Sequence, residues 1–278
     1  MKKHLSTILL VLVLLIGLSL MLYPTFADWW NSFHQSQAVA SYVEQVANMD
    51  EEQYHEIWDA AWEYNRSLVD RPNDFLLSEE QQQTYKELLN IGGNGIMGYI
   101  EIPSLQIVLP IYHGTGEAVL QIAVGHLEWT SLPVGGDSSH CVVSGHRGLP
   151  SARLFTDLDK MVLGDVFVFR ILDEVLTYEV NQIRIVEPHE TENLLIQEGE
   201  DLCTLITCTP YGINSHRLLV QGTRIANREE ARIARVTADA IQIEPLIVAP
   251  VVAVPILLVL LIMIMIPKNK KREKGKAL

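Results

Sequence analysis

Residues 204–225 restrict the fold of this chain more than any other stretch. Thr204-Leu205-Ile206-Thr207-Cys208 is a β-branched, apolar run, the composition of a buried strand. Thr209-Pro210-Tyr211-Gly212 ends it, because proline donates nothing to a ladder and glycine permits a turn. Arg217-Leu218-Leu219-Val220-Gln221 then resumes strand chemistry, and Gly212 and Asn214 supply turn residues between the two runs. If the two strands pair as neighbours, Cys208 and Arg217 face each other across the mouth of a hairpin. Cross-strand neighbours stand roughly 5 Å apart at Cβ, so a guanidinium there reaches whatever the sulfur attacks. Upstream, Ser144-Gly145-His146-Arg147-Gly148 places an imidazole where a strand should end and a loop begin.

The same reading extends over the middle of the chain. Strands are expected at 98–103, 107–112, 141–145, 166–172, 175–185, 202–208 and 217–225, with helical inserts at 116–124 and 154–161. Many short strands separated by turns predict a mostly β closed barrel or a sandwich. Before residue 96 the pattern is helical. Residues 37–47 and 51–68 carry Ala, Glu, Gln and aromatic residues at rough 3.6 spacing, and Asp50 is placed to cap the second of these helices. Asp70-Arg71-Pro72-Asn73-Asp74-Phe75 breaks the pattern, and Ser78-Glu79-Glu80-Gln81 reads as a capping box opening a third helix to about residue 89. Gly92-Gly93-Asn94-Gly95 is a loop.

The two ends are apolar. Residues 5–23 follow Lys2 and Lys3; residues 246–266 precede Lys268, Lys270, Lys271, Arg272, Lys274 and Lys276. A bilayer core takes about 20 apolar residues, and Lys and Arg gather on the cytoplasmic side. Two transmembrane segments, cytoplasmic termini and an extracellular middle are therefore expected. Pro250 and Pro255 in the second segment are tolerated in membrane helices. The alternative for 5–23 is a cleaved signal peptide, which Tyr23-Pro24-Thr25-Phe26-Ala27 suits poorly as a small-residue site. The expected order is a cytoplasmic tail at 1–4, a membrane segment at 5–23, a helical region at 24–95, the β-domain at 96–225, a linker at 226–245, a second membrane segment at 246–266 and a basic tail at 267–278.

Of 21 Lys and Arg, two precede Leu5 and six follow Ile266, leaving 13; of 34 Asp and Glu, only Glu273 lies in a tail, leaving 33, so the middle carries a net charge of −20. That sign counts against nucleic acid as a partner. It serves solubility, or the attraction of a Lys-bearing acceptor. Three cysteines, Cys141, Cys203 and Cys208, make an odd number, which counts against a disulfide framework. Cys203 and Cys208 are five apart, so on a regular strand they point to opposite faces, and Cys141 and Cys203 are expected to be small buried hydrophobes. With no Cys-x-x-Cys and no His-rich cluster, neither a structural zinc site nor any other cofactor is expected.

The order His146, Cys208, Arg217 resembles the sortases, membrane-bound transpeptidases of Gram-positive bacteria, whose motif is Thr-Leu-x-Thr-Cys followed by an Arg on the next strand, with a His upstream. Gly98-Tyr99-Ile100-Glu101-Ile102-Pro103, Pro110-Ile111-Tyr112-His113-Gly114, Gly125-His126-Leu127 and Ser131-Leu132-Pro133-Val134-Gly135-Gly136 are similar to class C sortases, the pilin polymerases. So are 144–151, 154–160 and 207–217, and the likeness covers about residues 96–224. It implies the sortase β-barrel and cleavage of a Leu-Pro-x-Thr-Gly-like signal between Thr and Gly. It also implies a thioester intermediate and transfer to a Lys amine on the next pilin subunit. A sortase that anchors single surface proteins to cell-wall peptide is the alternative, and a membrane-tethered binding domain with a decayed site is a second one.

Within that frame Cys208 is the nucleophile. His146 is the acid/base, set above His126, His140 and His216 by its Ser-Gly-His-Arg-Gly context. Arg217 is the fixed positive fork for an oxyanion, and Arg147 is a structural neighbour. A papain-like reading is disfavoured because that cysteine opens a helix, whereas Cys208 ends a strand. Class C sortases usually carry Asp-Pro-aromatic in a lid over the site. This chain has no such triplet, so either Asp74 and Phe75 stand in for the anchor or the segment is an interhelical turn.

Overall fold

The computed structural model describes residues 2–69 and 76–227. Eight short strands with apolar inner faces close on themselves: β1 (Ile96–Ile102), β2 (Ile107–His113), β3 (Val124–His126), β4 (Ser139–Ser144), β5 (Val166–Ile171), β6 (Glu174–Val186), β7 (Asp201–Thr209) and β8 (His216–Ile225). The order around the barrel is β1-β2-β3-β4-β7-β8-β6-β5, with β5 returning to β1. Closure removes the free edges that an open sheet would expose. The closed barrel is the first of the two architectures expected from the sequence, and the expected strands fall within about two residues of the observed ones.

Side-chain parity sorts the barrel wall. Along β7, Cys203 and Leu205 enter the main core with Met97, Ile100, Phe167, Phe169 and Tyr178. The alternate residue Ile206 instead joins a smaller cluster on the outer face with Val142, Val186, Leu194 and Leu219, packed against Leu127 and Trp129. The period of two along a strand produces this division.

Two expectations need correction. The insert at 116–124 is helical only in α4 (Glu117–Leu120), and Val124 to His126 forms a strand between β2 and β4. Three residues are too few to show a period. Gly125 is what admits the strand: a Cβ there would collide with the Gly114 carbonyl. The insert at 154–161 forms turns and a short 3-10 helix, Leu158–Lys160. Its apolar residues have helical spacing and are buried, but Leu154 has a positive φ of 39°. Phe155 spends its N–H on the His146 carbonyl at 3.1 Å rather than on a helix.

Among the described residues, 2–26 belong to one compact unit and 27–227 to another that contains the barrel. Helix α1 (Lys2–Ala47) runs through Pro24 without ending there, so the expected boundary at residue 23 is not a break in the helix. From Leu9 it is long and apolar enough to cross a membrane. The second expected membrane segment, most of the linker and the basic tail lie outside the described residues, as do Asp74 and Phe75.

The helices beyond residue 27 are fastened to the barrel by buried polar side chains. In α1, the Tyr42 hydroxyl donates to the Met97 carbonyl (3.0 Å) and accepts from Leu172 N–H (2.7 Å). In α2 (Glu51–Val69), capped by Asp50, the Asn65 amide makes a reciprocal pair with the Leu132 backbone (2.7 and 3.0 Å). The expected capping box opens α3 (Glu79–Glu87), with the Ser78 and Gln81 side chains each bonding the other's backbone. Fully buried Tyr85 of α3 accepts from Gly114 N–H and meets His126 Nδ1, both at 3.0 Å.

Candidate active site

Cys208 and Arg217 are directly paired in the antiparallel register of β7 and β8. Both are partly exposed, in contrast to Cys203, which is fully buried. On the other side of β7 lies β4, parallel to it, with Ser144 opposite Ile206. Two residues further along each chain stand His146 and Cys208. Cys208 and Arg217 therefore share the parity of the outer face, and His146 follows the adjacent end of β4 at the same end of the barrel.

The two threonines of the Thr-Leu-Ile-Thr-Cys motif build this geometry, and sequence reasoning left them without a role. Being three apart, they leave β7 on opposite faces. Thr204 Oγ1 pairs with His140 Nε2 at 2.8 Å, and His140 Nδ1 meets the Leu195 carbonyl at 2.9 Å. Burial lowers the His140 pKa, against the pull of that carbonyl. A neutral ring that donates from Nδ1 and accepts at Nε2 satisfies both partners. Thr207 Oγ1 donates to the Gly145 carbonyl at 2.8 Å, while Gly145 N–H donates to Ile206 O at 3.0 Å. The residue before His146 is thus held at both its polar backbone atoms by the strand that carries Cys208. A signal for this existed in the sequence: a strand with hydroxyls on both faces needs polar neighbours on both.

The rival histidines have other duties. His126 is fully buried between the Tyr85 hydroxyl and the Ser131 carbonyl. His140 is buried as described, and His216 Nδ1 meets Ser215 Oγ. Arg147 pairs with Asp159 and lies over the Tyr211 ring at 5.9 Å, joining the loop after β4 to the loop after β7. Arg217 Nη1 donates to the carbonyls of His216 (3.1 Å) and Asn214 (3.3 Å), which fixes one prong of its fork and leaves the Nε and Nη2 N–H groups to point elsewhere.

On the same outer face, Val142, Val186, Leu194, Ile206 and Leu219 form a buried apolar cluster, with partly exposed Leu127 and Trp129 packed against it. A partly exposed thiol opposite a guanidinium is an arrangement suited to covalent acyl transfer through a thioester.

Comparison with known proteins assigns the family. A sortase domain model matches residues 100–225. The crystal structure of sortase C1 from Streptococcus agalactiae is 49% identical, with a TM-score of 0.68 over 69% of this chain and 100% of that one. Sortase C from Streptococcus pneumoniae is 45% identical, with a TM-score of 0.63 over 69% of this chain and 97% of that one. Sortase D of Bacillus subtilis (strain 168) is 28% identical over 131 residues, 46% of this chain and 63% of that protein. The chain spans less than two thirds of the length of the curated relatives it matches first. The chain belongs to the sortase family of cysteine transpeptidases, and its structural neighbours are class C sortases.

Proposed function

We propose that this chain is a pilin-polymerising sortase that cuts a Leu-Pro-x-Thr-Gly-like signal between Thr and Gly and joins the Thr carbonyl to a pilin Lys amine. The observation that carries the reading is the direct pairing of Cys208 with Arg217, beside His146 at the end of the parallel neighbour strand. The Cys208 thiolate attacks the Thr carbonyl, and the Arg217 fork takes the charge that develops on its oxygen. The C–N bond to Gly breaks as the His146 imidazolium gives its proton to the leaving amine, leaving a thioester. In the second half His146 takes a proton from the incoming ammonium. The free amine attacks the thioester, its nitrogen releases its second proton to water, and the isopeptide bond forms as the thiolate leaves.

Leu127 and Trp129, the partly exposed rim of the outer-face apolar cluster, accept the Leu and Pro side chains of the signal. The Lys-flanked apolar run that opens α1 and the apolar run at 246–266 together tether the enzyme in the cell membrane, with the barrel outside and both termini in the cytoplasm. The test is incubation of the full-length chain in detergent micelles with two purified pilin-type substrates, one bearing the signal and one the acceptor Lys. A ladder of covalent products on a denaturing gel, lost in Cys208→Ala, is the expected result. Cleavage of the signal with no ladder, and transfer to a cell-wall peptide amine instead, would replace polymerisation by wall anchoring.

A further inference from the structure

We infer that Asp28 and Asn31 of α1 are positioning residues for His146, acting through the loop of residues 146–156. The inference rests on His146 being the acid/base of the proposed reaction.

The loop is closed on itself in three places. Phe155 N–H donates to the His146 carbonyl at 3.1 Å. Gly148 N–H donates to Thr156 Oγ1 at 3.1 Å. At the tip, Leu149 and Ala152 form an isolated antiparallel bridge around Pro150 and Ser151. The base of the loop is packed hard, since a Cβ at Gly145 would stand 2.6 Å from the Phe155 ring. Displacement of the tip is therefore transmitted to the His146 carbonyl rather than absorbed along the way.

That tip is held by α1. The Asn31 side-chain amide donates to the Ser151 carbonyl at 2.8 Å, and Arg153 N–H donates to Asp28 Oδ1 at 2.8 Å. Asp28 and Asn31 are three apart, so both lie on one face of the helix. They grip a donor and an acceptor on either side of Ala152, which is itself buried. The sequence separations are 120 and 125 residues, so no local rule predicts the contact. Gln35, one turn further on, donates to the Ile122 carbonyl at 2.7 Å, outside this loop. The helix thus supplies its own control position.

The donor and acceptor roles make the test selective. Asp28→Asn keeps an acceptor oxygen for Arg153 N–H, whereas Asp28→Ala removes it. Asn31→Asp turns a donor into an acceptor aimed at the Ser151 carbonyl. The full-length chain in detergent micelles is assayed for hydrolysis of the best-cleaved Leu-Pro-x-Thr-Gly peptide. A small misplacement of a reacting group costs up to about 10²-fold, so Asn31→Asp and Asp28→Ala should lower kcat about tenfold. KM should stay within about twofold, because the outer-face apolar cluster is untouched. Asp28→Asn and Gln35→Ala should keep kcat within about twofold of the parent. If Asn31→Asp does not fold, the contrast between Asp28→Ala and Asp28→Asn decides the matter alone.

Wild-type kcat in Asp28→Ala and Asn31→Asp, with His146→Ala inactive, would overturn the positioning role and leave the acid/base assignment standing. A fall in kcat matched by an equal fall in folded protein would overturn it too, as the contact would then only stabilise the fold. Activity in His146→Ala would overturn the acid/base assignment and this inference with it.

Discussion

Cys203 and Cys208 lie five residues apart on β7, yet one is core and the other is the candidate nucleophile. Cys203 faces inward, fully buried and in register with Cys141. Burial pushes its thiol well above the ordinary range, which keeps it protonated. Cys208 is partly exposed on the other face, opposite a guanidinium. The difference comes from an odd offset on a period of two and not from residue type. In this barrel the side of the wall that a thiol leaves decides its exposure.

The largest expected contrast is chemical. Cys208→Ala should lower peptide cleavage by about 10⁴-fold or more, the scale of losing a nucleophile. Cys141→Ala and Cys203→Ala should keep turnover and instead cost about 1–2 kcal/mol of stability, as small core truncations do. Rates for all three in the peptide assay, with thermal unfolding alongside, check both halves. An active Cys208→Ala enzyme would erase the distinction.

Next in size is the partner across the strand. Arg217→Lys keeps the charge but not the planar fork. Its kcat should fall about 10²–10³-fold, the usual cost of a lost oxyanion donor. Turnover near that of the parent would mean that Arg217 only balances charge.

A stability effect follows on the inner face. Thr207→Val preserves shape but removes the donor to the Gly145 carbonyl. Leaving a buried acceptor unmet costs about 1–3 kcal/mol, visible as a lower denaturant midpoint. Because Gly145 precedes His146, kcat should fall as well. A variant as stable as the parent would show that the carbonyl finds another donor.

How far the sequence disclosed this arrangement depends on the range of each contact. The β7–β8 hairpin is local, and its strand chemistry, Pro210 and Gly212 marked it, so the pairing of Cys208 with Arg217 was legible. The caps at Asp50 and Ser78 were legible for the same reason. The parallel pairing of β4 with β7 joins segments about 60 residues apart, and nothing in either run specifies the partner. His146 could be chosen by its motif, but its place beside Cys208 could not be read. Leu154, Phe155, Leu158 and Met161 imitate a helix because a packed loop needs apolar anchors at similar spacing. β3 escaped notice because its cause, the close approach of Gly125 to Gly114, is tertiary.

The smallest predicted effect concerns the buried histidine behind Thr204. Burial lowers the folded-state pKa of His140 below its ordinary 6.5. A depressed pKa contributes stability that is present above the unfolded value and lost as pH falls through the folded value. Desolvation also shifts half-buried His113 downward, against the pull of the Gly95 and Leu88 carbonyls, and adds the same sign. The thermal midpoint should therefore drop as pH falls below about 6.5. His140→Gln should flatten that drop. An unchanged slope in the variant would assign the acid sensitivity to other groups.

The central claim is that the outward thiol at the end of β7 carries the acyl group. Incubating the full-length chain with a Leu-Pro-x-Thr-Gly peptide, quenching in acid and mapping the modified fragment by mass spectrometry tests it most directly. The account predicts a thioester to the Thr carbonyl on Cys208 alone, with Cys141 and Cys203 unmodified. An acyl group on either buried cysteine, or cleavage with no acylated thiol, would contradict it.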